Sequence, residues 1–154
     1  MLGPKDLKRF IEQKEVDAEV LELSKQVATS SQAASALGVS ENVIAKTVVL
    51  VADDGEPILV FLAGSKRVKQ KWLARKLGKR RLRLAKRGEV EEITGYPAGG
   101  VPPIGLAKKL RMVVDEELLS REYVYAGGGS DRHLLKVRPS DVVRLNNALI
   151  LKLP

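Results

Sequence analysis

Residues 46–63 read KTVVLVADDGEPILVFLA, two β-branched or apolar runs separated by a short polar stretch around Asp53-Asp54-Gly55. Runs of this kind fit a pleated, half-buried surface, and an Asp-Gly pair between them is a short-range hairpin signal. The chain therefore commits to an antiparallel strand pair near its middle. Helical signals surround it. Pro4 opens a helix that runs through about Glu15, Ser30 or Ser31 can cap QAASAL before Gly38 ends it, and Ser40 caps the short ENVIAK turn. VKQKWLARKL reads as a basic helix stopped by Gly78, EVEEIT as another stopped by Gly95, and a last helix is capped by Ser140. AEVLEL, RLRLA, RMVVD, YVYA, HLLKV and ALILKL supply further strands, with an EELLS turn after RMVVD. The elements alternate without regular βαβ spacing. This predicts a mixed α/β (α+β) fold whose sheet is partly antiparallel and carries helices, rather than a doubly wound parallel fold.

With 154 residues, 44% of them hydrophobic, the chain can bury one proper core, and residues 1–154 are expected to form a single domain. No uncharged apolar run approaches the roughly 20 residues needed to span a bilayer, and MLGPKDLKRF lacks the apolar stretch of a signal peptide. A cytoplasmic protein with no membrane partner is the expectation. Cysteine is absent, which excludes disulfides, thiolate nucleophiles and thiolate metal ligands. The single histidine, His133, has no His or Cys companion for a zinc site, and no G-x-S-x-G element supports a serine hydrolase. Glu89, Glu91 and Glu92 sit at a helix start, where the helix dipole accounts for them better than paired-carboxylate chemistry does.

Charge is distributed unevenly. The net formal charge is +8, yet no acid occurs between Glu56 and Glu89, an interval that holds twelve of the 27 basic residues. Such a local excess is an electrostatic footprint for a polyanion, against the plain alternative of a solvated face. Lys66, Arg67, Lys69, Lys71, Arg75, Lys79 and Arg80 are the candidate nucleic-acid contacts. Trp72, inside this interval, has helical spacing with its apolar neighbours, which points to burial more than to base stacking.

Two loops and one lysine hold the chemistry. GYPAGGVPPIG, residues 95–105, has four glycines and three prolines and no charge. Proline fixes φ and glycine admits close approach, so the loop suits rigid presentation of main-chain atoms to a ligand, or is simply a connection. AGGGSDRH, from Ala126, is not a P-loop, but its glycines can form a backbone nest or a hairpin turn. Lys46 begins an otherwise apolar strand after a short turn, either snorkelling from the sheet end or standing as a fixed cation beside a pocket.

Taken in order, the AKTVVL strand, TGYPAGGVPPIG and VYAGGGSDRHLLKVRPSDVVRL resemble the YbaK/ProX family of aminoacyl-tRNA editing domains, from about Ala28 to Leu145. The resemblance implies a mixed α/β fold with a central, partly barrel-like sheet, no metal and no cofactor. It implies a trans-editing deacylase that hydrolyses the ester of tRNA mischarged with a small amino acid of the cysteine, alanine or proline type. Lys46 and Gly99 would be catalytic. Ala28, Thr29, Thr47, Gly100, Val101, Pro103, Ile104, Ala126, Gly127 and Gly128 would bind substrate, with tRNA and an aminoacyl-tRNA synthetase as partners. The competing reading is a non-catalytic tRNA-binding or synthetase-associated module with the same fold.

Overall fold

The computed structural model describes residues 1–154 and resolves the strands into two sheets. The expected hairpin is its centre. Strand β2 (Ala45–Ala52) pairs antiparallel with β3 (Pro57–Ala63), in register from Ala45↔Ala63 to Val51↔Pro57. β4 (Leu82–Leu84) joins the outer edge of β2 antiparallel, while β5 (Arg111–Asp115) runs parallel beside β3, and β8 (Leu149–Leu151) parallel beside β5. The order is β4-β2-β3-β5-β8. A second, antiparallel sheet has the order β1-β7-β6, from Glu19–Glu22, His133–Val137 and Val124–Gly127. Five helices complete the chain: α1 (Pro4–Lys14), α2 (Ser30–Leu37), α3 (Gln70–Leu77), α4 (Arg87–Thr94) and α5 (Pro139–Asn146).

β3 is apolar throughout because both of its faces are covered, as in buried parallel sheets. On one face Leu59 and Phe61, with Val49 and Val114, pack with Leu7 of α1, Val142 of α5 and Leu135 and Val137 of the second sheet. On the other, Ile58, Val60 and Leu62 meet Leu73 and Ala74 of α3. Trp72 packs against this second cluster with Lys76 over its ring, which agrees with the burial expected from its spacing.

The partly barrel-like sheet stays open: β4 and β8 are free edges, and the backbone link between the two sheets is the isolated bridge Ile44↔Tyr125. Two expectations are corrected. Thr29, not Ser30 or Ser31, caps α2: its hydroxyl accepts from the Gln32 backbone N–H, and its own N–H donates to Gln32 Oε1. α5 starts at Pro139 with Arg138 in the cap position, which places Ser140 inside the first turn. No helix is long and apolar enough to cross a membrane.

Candidate active site

The site lies where the outer edge of β2 loses its partner. Gly64 N–H donates to Ile44 C=O at 2.8 Å and Ala52 N–H to Glu56 C=O at 2.9 Å. Antiparallel pairs alternate between residues that exchange hydrogen bonds and residues that do not, so the even-numbered residues of β2 bond β3. Ala45, Thr47 and Val49 therefore turn their main chains to the other edge. There β4 pairs only Leu50–Ala52, Ala85 N–H reaches Val49 C=O at 2.9 Å, and Ile44 bridges Tyr125. The stretch from Lys46 to Val48 has no strand beside it on that edge. A cavity of about 250 Å³ opens on it, walled by Val27, Ala28 and Ala33 on one side, Ala98, Gly99 and Val101 on another, and Ala126 and Gly127 on a third.

No carboxylate and no imidazole lines this cavity, and Lys46 is the one lining residue charged at neutral pH. Lys46 is half-buried, without an acid partner, and its pKa is lowered first by burial and then by the positive charge of Arg67. An ammonium held in this way lacks a counter-ion within the protein and favours any negative charge that arrives or develops beside it. Thr47 adds a buried hydroxyl with no hydrogen-bond partner in the protein, a cost a polar ligand atom would relieve.

The glycines of the two loops let the loops pack closely on each other and on Ala28, just ahead of α2. Gly99 has φ +88, in the left-handed region, and a Cβ there would come 3.2 Å from the Ala28 methyl. A Cβ on Gly100 would lie 2.7 Å from Ser130 N, and one on Gly127 would collide with the carbonyl oxygen of Val101. Gly129 N–H donates to Gly100 C=O at 2.8 Å, fastening the two loops together. Tyr96, fully buried, closes the proline-rich loop on itself by donating to Gly105 C=O at 3.0 Å, and Asn146 Nδ2 holds Pro103 C=O at 2.8 Å. Burial, and secondarily the charge of Asp6, pushes the Tyr96 phenol up to about 12, so it remains a donor through the working pH range. Gly127→Ala is expected to force the loops apart, costing about 1–3 kcal/mol by overpacking and widening the cavity. Thermal melts together with ligand affinity would check both effects.

The structure gathers Ala28, Thr29, Lys46, Thr47, Gly99, Val101, Ala126 and Gly127 around the cavity. Gly100, Pro103, Ile104 and Gly128 stand behind it: Ile104 is in the main core, and a Cβ on Gly128 would lie 2.6 Å from the His133 carbonyl carbon. These four shape the wall and do not line it. Leu84, Ala85 and Val90 of the β4–α4 corner do line it, as do Tyr125 and Leu134, and none was among the sequence candidates. For Leu84 and Ala85 the signal is faint, an alternating RLRLA within the basic interval.

Two of the basic candidates are internal. Lys66 donates to Asp115 at 2.7 Å and to Leu153 C=O at 2.9 Å, and Lys79 pairs with Asp54 at 2.7 Å and Glu56 at 3.0 Å. Burial pulls the Lys66 pKa down, but the hydrogen bond to Asp115 and the nearby acids outweigh it, and the ammonium is held above its ordinary range. Arg67, Lys69, Lys71, Arg75 and Arg80 are exposed and enter no ion pair. His133 packs beside the loop, 2.6 Å from Ser130 Oγ, outside the cavity. No group of three or more His, Cys, Asp or Glu side chains comes together as a metal-holding cluster.

A family model described as an aminoacyl-tRNA editing domain matches residues 24–145. A "Proline--tRNA ligase" of Citrifermentans bemidjiense is 36% identical over 105 residues, which cover 68% of this chain and 18% of the ligase. The chain thus spans under a fifth of that relative. The "Putative Cys-tRNA(Pro)/Cys-tRNA(Cys) deacylase EbsC" of Enterococcus faecalis is 26% identical over 141 residues, 90% of this chain and 86% of that protein. Among solved structures, a hypothetical protein superposes with a TM-score of 0.89 at 36% identity, covering 96% of this chain and 98% of its own. A second, titled "Crystal structure of a putative trans-editing enzyme for prolyl tRNA synthetase", superposes at 0.86 with 31% identity, covering 97% and 95%.

Proposed function

Since this chain belongs to the aminoacyl-tRNA editing domain family, whose members hydrolyse mischarged aminoacyl-tRNA, we propose that it acts in trans as a deacylase on tRNA carrying a small amino acid. The observation that carries the reading is a cavity whose one charged side chain is an unneutralised lysine, walled by small residues and glycine backbone. Its volume, about 250 Å³, lies just below the roughly 300–1,000 Å³ usual for drug-sized ligands, which suits a cysteinyl, alanyl or prolyl group. Residues 1–154 act as one unit, and tRNA is the partner, with a synthetase as a further one.

With neither carboxylate nor imidazole in the cavity, the substrate supplies the proton path. Water oxygen bonds to the ester carbonyl carbon while its proton passes through the free hydroxyl of the terminal ribose. The ester C–O bond then breaks, and the ribose oxygen leaves with the proton, giving free amino acid and tRNA with both terminal hydroxyls. Lys46 opposes the negative charge that develops on the carbonyl oxygen, and the Gly99 backbone lets the ester approach the loop. Positioning does the remainder, since an aminoacyl ester is already labile. Arg67, Lys69, Lys71, Arg75 and Arg80 hold the acceptor-end phosphates, a shape-reading contact.

A mischarged tRNA whose terminal adenosine lacks the free neighbouring hydroxyl tests this route. Its hydrolysis is expected to fall by about 10²- to 10⁴-fold, the range for removing a positioned proton carrier. Unchanged turnover of that substrate would place the proton path in a protein group and defeat the ribose-assisted mechanism.

A further inference from the structure

Leu84 is a large apolar side chain left 56% exposed, and it stands at the cavity rim with Ala85 and Val90. Its position is built, not incidental. β4 pairs Leu84 with Leu50, and the next residue, Ala85, donates to Val49 C=O, so the corner continues the β2 ladder to the cavity mouth. Arg83 grips Glu89 with both guanidinium nitrogens, at 2.7 and 2.9 Å, and Lys86 N–H donates to the same carboxylate at 2.8 Å. The Arg83 hydrogen bond, followed by that backbone contact, pulls the Glu89 carboxyl down to about 2, so the fork stays ionised across the working pH range. A carboxylate fork of this geometry fixes a corner. Arg81, Lys86 and Arg87 flank the leucine, exposed and outside every ion pair.

An exposed apolar surface at a rigid cavity mouth, bordered by free cations, fits a flat heterocycle joined to phosphates better than it fits a protein face. We propose that Leu84, with Ala85 and Val90, is the platform on which the terminal base of the tRNA 3′ end stacks, while Lys86 and Arg87 meet the adjoining phosphate. This rests on the deacylase reading and names the part of the site that takes the base rather than the ester. The aminoacyl group enters between Lys46 and the glycine loops, and the base stays outside on the corner. Aliphatic side chains stack bases more weakly than aromatic ones, but sequence tolerance is not required where the terminal base never varies.

The test is a titration of leucine-methyl-labelled protein with the trinucleotide CCA and, separately, the dinucleotide CC, followed by nuclear magnetic resonance. CCA is expected to shift the Leu84 methyls upfield through the ring current of the base, and CC to leave them in place. Leu84→Ala is expected to weaken CCA binding about 5- to 10-fold without changing CC binding, and Leu84→Met to restore most of it. Since Leu84 is exposed, the alanine variant should melt with the wild type. Equal CCA binding by wild type and Leu84→Ala would overturn the proposal. So would Leu84 methyls that respond to protein concentration instead of CCA, which would make the corner a self-association face. Neither readout requires hydrolysis, so a wild type that binds CCA on Leu84 yet cleaves no ester would defeat the deacylase reading and leave the platform standing.

Discussion

Replacing Lys46 by alanine is expected to slow ester hydrolysis by roughly 10²- to 10³-fold, the loss that follows removal of one preorganised group opposing a developing oxyanion. The fold should not suffer. Lys46 has no acid partner, and burial together with Arg67 disfavours its charge, so the ammonium costs the folded state stability at every pH below its lowered pKa. That cost fades as pH rises through the lowered value toward the ordinary 10.5, and Lys46→Ala should accordingly melt at or slightly above the wild-type temperature near neutral pH. Activity follows the opposite course. The rate advantage over buffer hydrolysis should decline as pH rises through the same lowered value, whereas Lys46→Arg, which keeps its charge, should hold whatever activity it has across that window. A lysine that merely snorkelled from the sheet end would change neither rate nor pH profile.

Asp115→Ala is expected to destabilise the protein by about 3–5 kcal/mol, the usual cost of removing one member of a buried ion pair. Asp115 is 1% exposed at the end of β5, where its carboxylate receives Lys66 at 2.7 Å and the amides of Glu117 and Leu153 at 3.3 Å. It joins the start of the basic interval to the C-terminal strand, and without it two amides lose their acceptor and Lys66 loses its shortest contact, keeping Leu153 C=O at 2.9 Å and Glu117 at 3.5 Å. At this chain length the change corresponds to a fall of roughly 10–15 °C in melting temperature, measurable by calorimetry. Lys66→Met, which strands the buried Asp115 carboxylate with only two amide donors, should destabilise comparably. A tRNA-binding role for Lys66 would show the reverse pattern, with binding weakened and stability untouched.

These two residues mark how far the sequence can be read. The β2–β3 hairpin was legible because its signals are local, an Asp-Gly turn between two apolar runs. Lys46 was legible as an odd cation at a strand start, and the glycine loops as places of close approach. Lys66 and Lys79 were not separable from Arg67, Lys69 and Lys71 by composition, because their acid partners Asp115, Asp54 and Glu56 come from strand ends and turns distant in sequence. How far the partly barrel-like sheet stays open was hidden for the same reason. Whether the outer edge of β2 finds a continuous partner depends on where β4 stops and β6 begins, and both are long-range facts. Leu84 escaped notice because only its pairing with Leu50 carries it to the cavity, while the Thr29 cap was hidden by two serines with nearly the same capping preference.

The central claim is that this cavity empties mischarged tRNA of a small amino acid. The direct measurement is hydrolysis of a panel of tRNAs charged, correctly and wrongly, with cysteine, alanine, serine or proline, by wild type and by Lys46→Ala. The account requires at least one ester to be lost faster than in buffer with wild type and to survive with the variant. Decay of every ester at the buffer rate, with tRNA still bound, would contradict it and leave a binding module in place of an enzyme.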